Sequence, residues 1–193
     1  MAANALRTIA TQTSRHGHTA RFLRTAIVNT NRSPRTFSTS IARHGVIPFE
    51  ISGTGTGVAQ SIAVKGSPHT ISVDAYPSFG GQDAAPSPLA YNLSSLSSCT
   101  QVTGSLVAKD HGLNLGKWEV SVLGDLDPAV LAKGVQGNGN WDAITLKVNV
   151  QVDTRDEQVF QRFAAETERR CPITQLFKRS GVKWSSHWVN GSV

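Results

Sequence analysis

Cysteine occurs only twice in the 193 residues, at Cys99 and Cys171, and there is no Cys-x-x-Cys pair or Cys/His cluster. That scarcity excludes a disulfide-stapled scaffold and leaves zinc only a site assembled from scattered residues, so neither a metal nor another cofactor is expected. No apolar run reaches the roughly 18 residues of a membrane-spanning helix, and no membrane association is expected. Carboxylates are missing before Glu50, and arginine is missing between Gly45 and Thr154.

These gaps make the charge lopsided. The formal net charge of +6 comes from residues 1–44, which carry seven arginines, no lysine and no acid. The remainder holds 12 basic against 13 acidic residues, which gives no reason to expect nucleic acid as a partner. An acid-free leader rich in arginine, serine and threonine has the composition of a mitochondrial transit peptide, with Leu6, Ile9, Phe22, Leu23 and Ile27 as its scattered apolar face. The alternative is a disordered nucleic-acid arm. "RTFSTSIARHG" resembles a two-step processing signal cut first after Thr36 and then after His44. The expectation is a matrix protein whose mature chain begins near Gly45 and forms one domain over residues 45–193.

Within that domain, "VAQSIAVKG" and "HTISVDAY" read as a β-hairpin, with "GTGTG" at 53–57 as a flexible lead-in. Ser87 and Pro88 open the strongest helical pattern, Leu89, Leu93, Leu96, Val102 and Leu106 are expected to line its core face, and Gly112 ends it. Its many serines suit a helix that another helix approaches closely. "KWEVSVLG" and "WDAITLKVNVQVD" alternate as half-buried strands joined by a glycine-rich connection, with "NGNW" as a hairpin turn. Thr154 and Glu157 form a capping-box pattern ahead of a helix, Pro172 starts another, and "VKWSSHWV" closes as a strand. The order β-β-α-β-β-α-α-β predicts an α+β domain with antiparallel pairing. Trp118, Trp141, Trp184 and Trp188 are expected in core or dimer contacts.

Cys171, between Arg170 and Pro172, falls at a helix start, where free N–H groups and the helix dipole favour a thiolate. By itself it reads either as a reactive thiol or as a helix cap. Cys99, mid-helix between Leu96 and Val102, reads by itself as a small core residue.

Taken together, "GGQDAAPSPLAYNLSSLSSCTQVT", "CPITQLF" and "SPHTISVD" with His69 and Asp74 resemble the osmotically inducible protein C and organic hydroperoxide resistance (OsmC/Ohr) superfamily over residues 45–193. The resemblance implies an OsmC-like α+β fold, with antiparallel sheets around a central cysteine-bearing helix in an intertwined homodimer. It also implies a thiol-dependent peroxidase acting on organic hydroperoxides, with Cys99 peroxidatic and Cys171 resolving, and a dithiol such as dihydrolipoamide as reductant. A resolving thiol rescues the sulfenic acid from further oxidation. The chain departs from the family's hydroperoxide reductases in lacking their early-strand arginine and in having Ala90 where many relatives have glutamate. Lys65, His69, His111, Glu168 and Arg169 are the groups available to replace that pair, although Glu168 and Arg170 read more simply as solvated helix charges. The other reading is a non-catalytic or redox-sensing dimer that binds a small apolar ligand or a protein partner between its subunits.

Overall fold

A computed structural model of the chain describes residues 45–191; the expected transit peptide, residues 1–44, lies outside the described residues. Two three-stranded sheets form, one from the start of the domain and one from its second half. The first contains β1 (Ile51–Thr56), β2 (Ala59–Val64) and β3 (Thr70–Val73), all antiparallel. The Gly/Thr stretch expected to be a flexible lead-in is therefore strand β1, in register with β2 from Ile51↔Val64 to Thr56↔Ala59. Its glycines allow close approach: a Cβ on Gly55 would lie 2.1 Å from the carbonyl oxygen of Ala59.

The second sheet has the order β4 (Leu115–Asp125), β5 (Ala143–Val152), β6 (Lys183–Asn190). β4 and β5 are antiparallel, but β5 and β6 are parallel, so the pairing is mixed rather than antiparallel throughout. The reason is topological. After β5 the chain runs back through α3 (Glu157–Arg170) and α4 (Pro172–Arg179), and a helical crossover returns the next strand in the same direction. A short helix, α2 (Ala129–Lys133), lies in the long β4–β5 connection, and "NGNW" is not a two-residue hairpin: Asn140 Nδ2 donates to the Ser180 carbonyl at 3.0 Å.

β5 shows why the core sits here. Ile144, Leu146, Val148, Val150 and Val152 are buried, whereas Lys147 and Asn149 are exposed, as strict alternation requires. Phe160 and Phe163 of α3 and Phe177 of α4 join the buried face, together with Leu96 and Val107 of α1 (Pro88–His111). Trp118 and Trp188 meet Phe163 with ring centroids 6.2 and 6.0 Å away, which places those two tryptophans around the core.

α1 has its expected bounds. Ser87 Oγ accepts from the Ala90 amide, and Gly112 takes a left-handed conformation at the other end. Its buried face is different from the expected stripe: Leu96, Thr100, Thr103, Gly104, Val107 and Ala108 are buried, while Val102 and Leu106 are 61% and 54% exposed. Close packing selects small residues. A Cβ on Gly104 would stand 2.4 Å from the Trp118 ring, so nothing larger fits at that point of the face. At α3, Asp156 rather than Thr154 is the cap, its carboxylate accepting from the Gln158 and Val159 amides.

Candidate functional site

The two cysteines reach one place by different routes. Cys99 projects from α1 one turn before Thr103, whose hydroxyl lies 4.0 Å from its sulfur. Cys171 is the corner residue between α3 and α4. Its amide donates to the Thr167 carbonyl at 3.0 Å and closes α3, and its sulfur accepts from the Thr174 amide at 3.4 Å, capping α4. Pro172 explains the corner, because its ring disfavours helical geometry at Cys171, which is extended at φ −71, ψ 113. α1 packs on both α3 and α4. Across 71 intervening residues, this packing brings the Cys99 and Cys171 thiols near enough for each to influence the ionisation of the other, with the Ile173 amide acting on both.

The two sulfurs differ in their environments. Burial pushes the Cys99 thiol up, and the hydrogen bond and charge of Cys171 add to this; the Ile173 amide and Thr103 hydroxyl oppose it less strongly. Burial is also the largest influence on Cys171 and also acts upward, but the Thr174 hydroxyl and amide, the Cys99 thiol and the Ile173 amide together outweigh it and bring that thiol down. Of the two, Cys171 is thus the thiol whose ionisation its surroundings favour. Access runs the other way, since Cys171 is fully buried and Cys99 is half-buried.

No cation stands among the leading influences on either sulfur. Lys65 is paired with Glu50, Arg169 with Glu166 and Arg170 with Asp110, and His69 is exposed at the entry to β3. Glu168, expected to be a solvated helix charge, is instead buried. It accepts from Lys178 Nζ at 2.6 Å and Trp188 Nε1 at 2.8 Å, and its backbone carbonyl accepts from Gln175 Nε2 at 3.0 Å. Burial raises its carboxyl, but Lys178, Ser186 and Trp188 prevail and hold it below the usual carboxylate range. The result is a brace joining α3, α4 and β6 around the Cys171 corner.

Thr174 was also missed. It is fully buried, with its hydroxyl turned to the Cys171 sulfur but without a well-formed hydrogen bond. The available signal was its place three residues after a capping cysteine, where a side chain faces back toward the cap.

The loop ahead of α1 is organised by Asp74, whose buried carboxylate accepts from the Ala75, Gln82 and Ala84 amides at 2.8, 3.0 and 3.0 Å. Those amides, Ala84 first, hold its carboxyl below the ordinary range. Beside this loop an apolar cavity of about 740 Å³ is lined by Tyr76, Phe79, Pro88, Leu89 and Leu131. Leu89 lies ten residues before Cys99 on the same helix, about 15 Å along its axis, so the cavity and the thiol pair are separate places. Among the described residues no His/Cys/Asp/Glu group could hold a metal, and no helix is long and apolar enough to cross a membrane.

Residues 80–187, more than half of the chain, match the family model described as "OsmC-like protein". No match was found among curated proteins. Several solved structures share the fold. An OsmC like protein from Mycoplasma pneumoniae is 19% identical with a TM-score of 0.63, the match covering 76% of this chain and 99% of that one. An organic hydroperoxide resistance protein from Elizabethkingia anophelis is 16% identical with a TM-score of 0.60, covering 77% and 99% respectively. The organic hydroperoxide resistance protein OsmC from Legionella pneumophila is 12% identical with a TM-score of 0.57, covering 75% and 98%.

Proposed function

Because the chain belongs to the OsmC-like protein family, we propose that it is a thiol-dependent peroxidase that reduces organic hydroperoxides, with Cys99 as the attacking thiol and Cys171 as the resolving one. The observation that carries this reading is the convergence of the two thiols where α1 packs on the α3–α4 corner, close enough to influence each other's ionisation, Cys99 half-buried and Cys171 accepting from the Thr174 amide. In the reaction, the Cys99 sulfur attacks the distal peroxide oxygen, the O–O bond breaks, and an alcohol leaves as Cys99 becomes a sulfenic acid. Cys171 then displaces water to form the Cys99–Cys171 disulfide, and a dithiol such as dihydrolipoamide returns both thiols by exchange. Apolar hydroperoxides fit a half-buried sulfur better than hydrogen peroxide, whose hydration would have to be given up.

The working form on this reading is a homodimer. Its support is apolar surface that the described chain leaves uncovered: Ile51 on β1, and Val102 and Leu106 among the exposed serines of α1. The mitochondrial matrix is the proposed compartment, from the composition of residues 1–44.

Organic hydroperoxide added to the purified full chain should remove both free thiols as one intrachain disulfide, and dihydrolipoamide should restore them. Unchanged thiol counts in a folded protein would overturn the reading. The apolar cavity beside Tyr76 and Phe79 favours a second one, a binding dimer whose thiols are inert. A stoichiometric apolar ligand bound to a chain whose thiols resist peroxide would select it.

A further inference from the structure

We propose that Glu168 is a positioning residue for the thiols: with Lys178 and Trp188 it holds the α3–α4 corner closed over Cys171, so that reagents arriving from solvent meet Cys99 first. The inference rests on the peroxidase reading above and deepens it, because it says what assigns the attacking and resolving tasks to the two cysteines.

The two thiols pose a problem of order. Cys171 is the one whose ionisation its surroundings favour, and the thiolate is the form that attacks a peroxide, yet a resolving cysteine must stay reduced until Cys99 has reacted. Acidity does not set Cys171 aside, so burial must: it is fully buried, whereas Cys99 is half-buried. Its place in the chain makes that burial easy to lose. The α3 ladder ends where the Cys171 amide donates to the Thr167 carbonyl, the α4 ladder starts where the Gln175 amide donates to the Cys171 carbonyl, and Pro172 brings no donor between them. The angle between the two helices is therefore left to side chains.

Glu168 gathers the ties that span the corner. Its backbone carbonyl, in the last turn of α3, accepts from Gln175 Nε2 at 3.0 Å. Its carboxylate accepts from Lys178 Nζ at 2.6 Å, in the last turn of α4, and from Trp188 Nε1 at 2.8 Å, on β6. Trp188 is itself packed edge-on against Phe163 in the core, with ring centroids 6.0 Å apart, so the corner is fastened to the sheet as well as to its own helices. Lys178 Nζ is held on the same side, 5.5 Å from the centre of the Trp184 ring of β6. Among the described ion pairs this carboxylate is the most withdrawn, its side chain 10% exposed against 27% or more in the other four. A charge taken so far out of water gains little net stability over apolar packing, and what its directed bonds add is a fixed geometry.

The test is the initial rate of alkylation of each cysteine by iodoacetamide in the reduced full chain at neutral pH, resolved by mass spectrometry, with denaturant unfolding of every variant alongside. In the wild type Cys99 should be modified about tenfold or more faster than Cys171. Glu168→Gln, which leaves Lys178 without its anion, should speed Cys171 about tenfold or more while Cys99 stays within about twofold. Lys178→Met and Trp188→Phe, each removing a single tie, should move Cys171 the same way by less. A merely structural loss would speed both thiols together, in proportion to the unfolded fraction. Parallel acceleration would therefore overturn the proposal, as would an unchanged Cys171 rate in Glu168→Gln or a wild-type Cys171 as reactive as Cys99. Should Glu168→Gln fail to fold, Lys178→Met decides, because that side chain is already 35% exposed. A Cys99 that never forms a sulfenic acid with organic hydroperoxide would remove the peroxidase reading, and the division of tasks with it, whatever the alkylation order. A Cys99 that does form one, with Cys171 still protected in Glu168→Gln, would remove the brace alone.

Discussion

The two sheets are of similar strand number but differ in what covers them. In the second, every other residue of β5 is buried beneath α1, α3 and α4, and the aromatic ring cluster of Trp118, Phe163 and Trp188 fills the space between. In the first, all six residues of β1 are exposed and none in β2 or β3 is fully buried. An amphipathic sheet is stable when one face loses contact with water, and within the described residues only the second sheet achieves that. Backbone pairing and a few polar ties, such as Tyr91 Oη donating to the Ser72 carbonyl at 2.8 Å, hold the first sheet in the single chain, and Ile51 among its apolar residues remains available to a second copy. The thiol pair belongs wholly to the closed layer, at the corner where its helices change direction.

The largest expected effect is in the closed layer. Phe163→Ala should destabilise the chain by about 3–5 kcal/mol, through lost burial and the cavity left behind. Denaturant unfolding measures it, and a cost below ~1 kcal/mol would mean that the ring cluster is not the centre of the core. Gly104→Ala comes next, at about 1–3 kcal/mol of overpacking, because the new methyl would meet the Trp118 ring. It should also shift the near-ultraviolet signal of that tryptophan, and a neutral substitution would show that α1 can move away freely.

The loop that leads out of the first sheet comes third. Asp74→Ala leaves the Ala75, Gln82 and Ala84 amides without their acceptor, so hydrogen exchange over residues 75–86 should accelerate while β5 amides stay protected. pH sharpens this. Because the Asp74 carboxyl is held below its ordinary value, its contribution is complete above roughly pH 4 and is lost as pH falls through the depressed value. The Asp74→Ala melting temperature should accordingly fall less steeply on acidification than that of the wild type. Parallel curves would remove Asp74 from the acid response.

The smallest effect in dilute solution is expected from Ile51→Ala on β1, within about 0.5 kcal/mol. If a second copy covers the first sheet, the cost grows with protein concentration. A large cost at every concentration would show that the sheet is buried within its own chain and would erase the contrast between the two layers.

Legibility followed the range of the forces involved. β5 was legible because period-two alternation of Ile144, Leu146, Val148, Val150 and Val152 is local, and α1 because Ser87, Pro88 and Gly112 mark its ends chemically. β1 was not, since Gly53 and Gly55 look like flexibility until a partner strand lies across them. The face of α1 was misjudged for a similar reason. Hydrophobicity favours Val102 and Leu106 as core, but Trp118 comes too near for anything larger than the small residues around Gly104.

The sequence by itself determined the helix corner at Arg170-Cys171-Pro172, the capping position of one thiol and the mid-helix position of the other, because proline and capping chemistry act within a few residues. Only the tertiary structure decided that those sulfurs come near enough to influence each other, that Thr174 faces one of them and that Glu168 is buried with Lys178 rather than solvated. Contacts between residues distant in the chain depend on how helices pack over a sheet, and no local pattern of residues encodes that geometry.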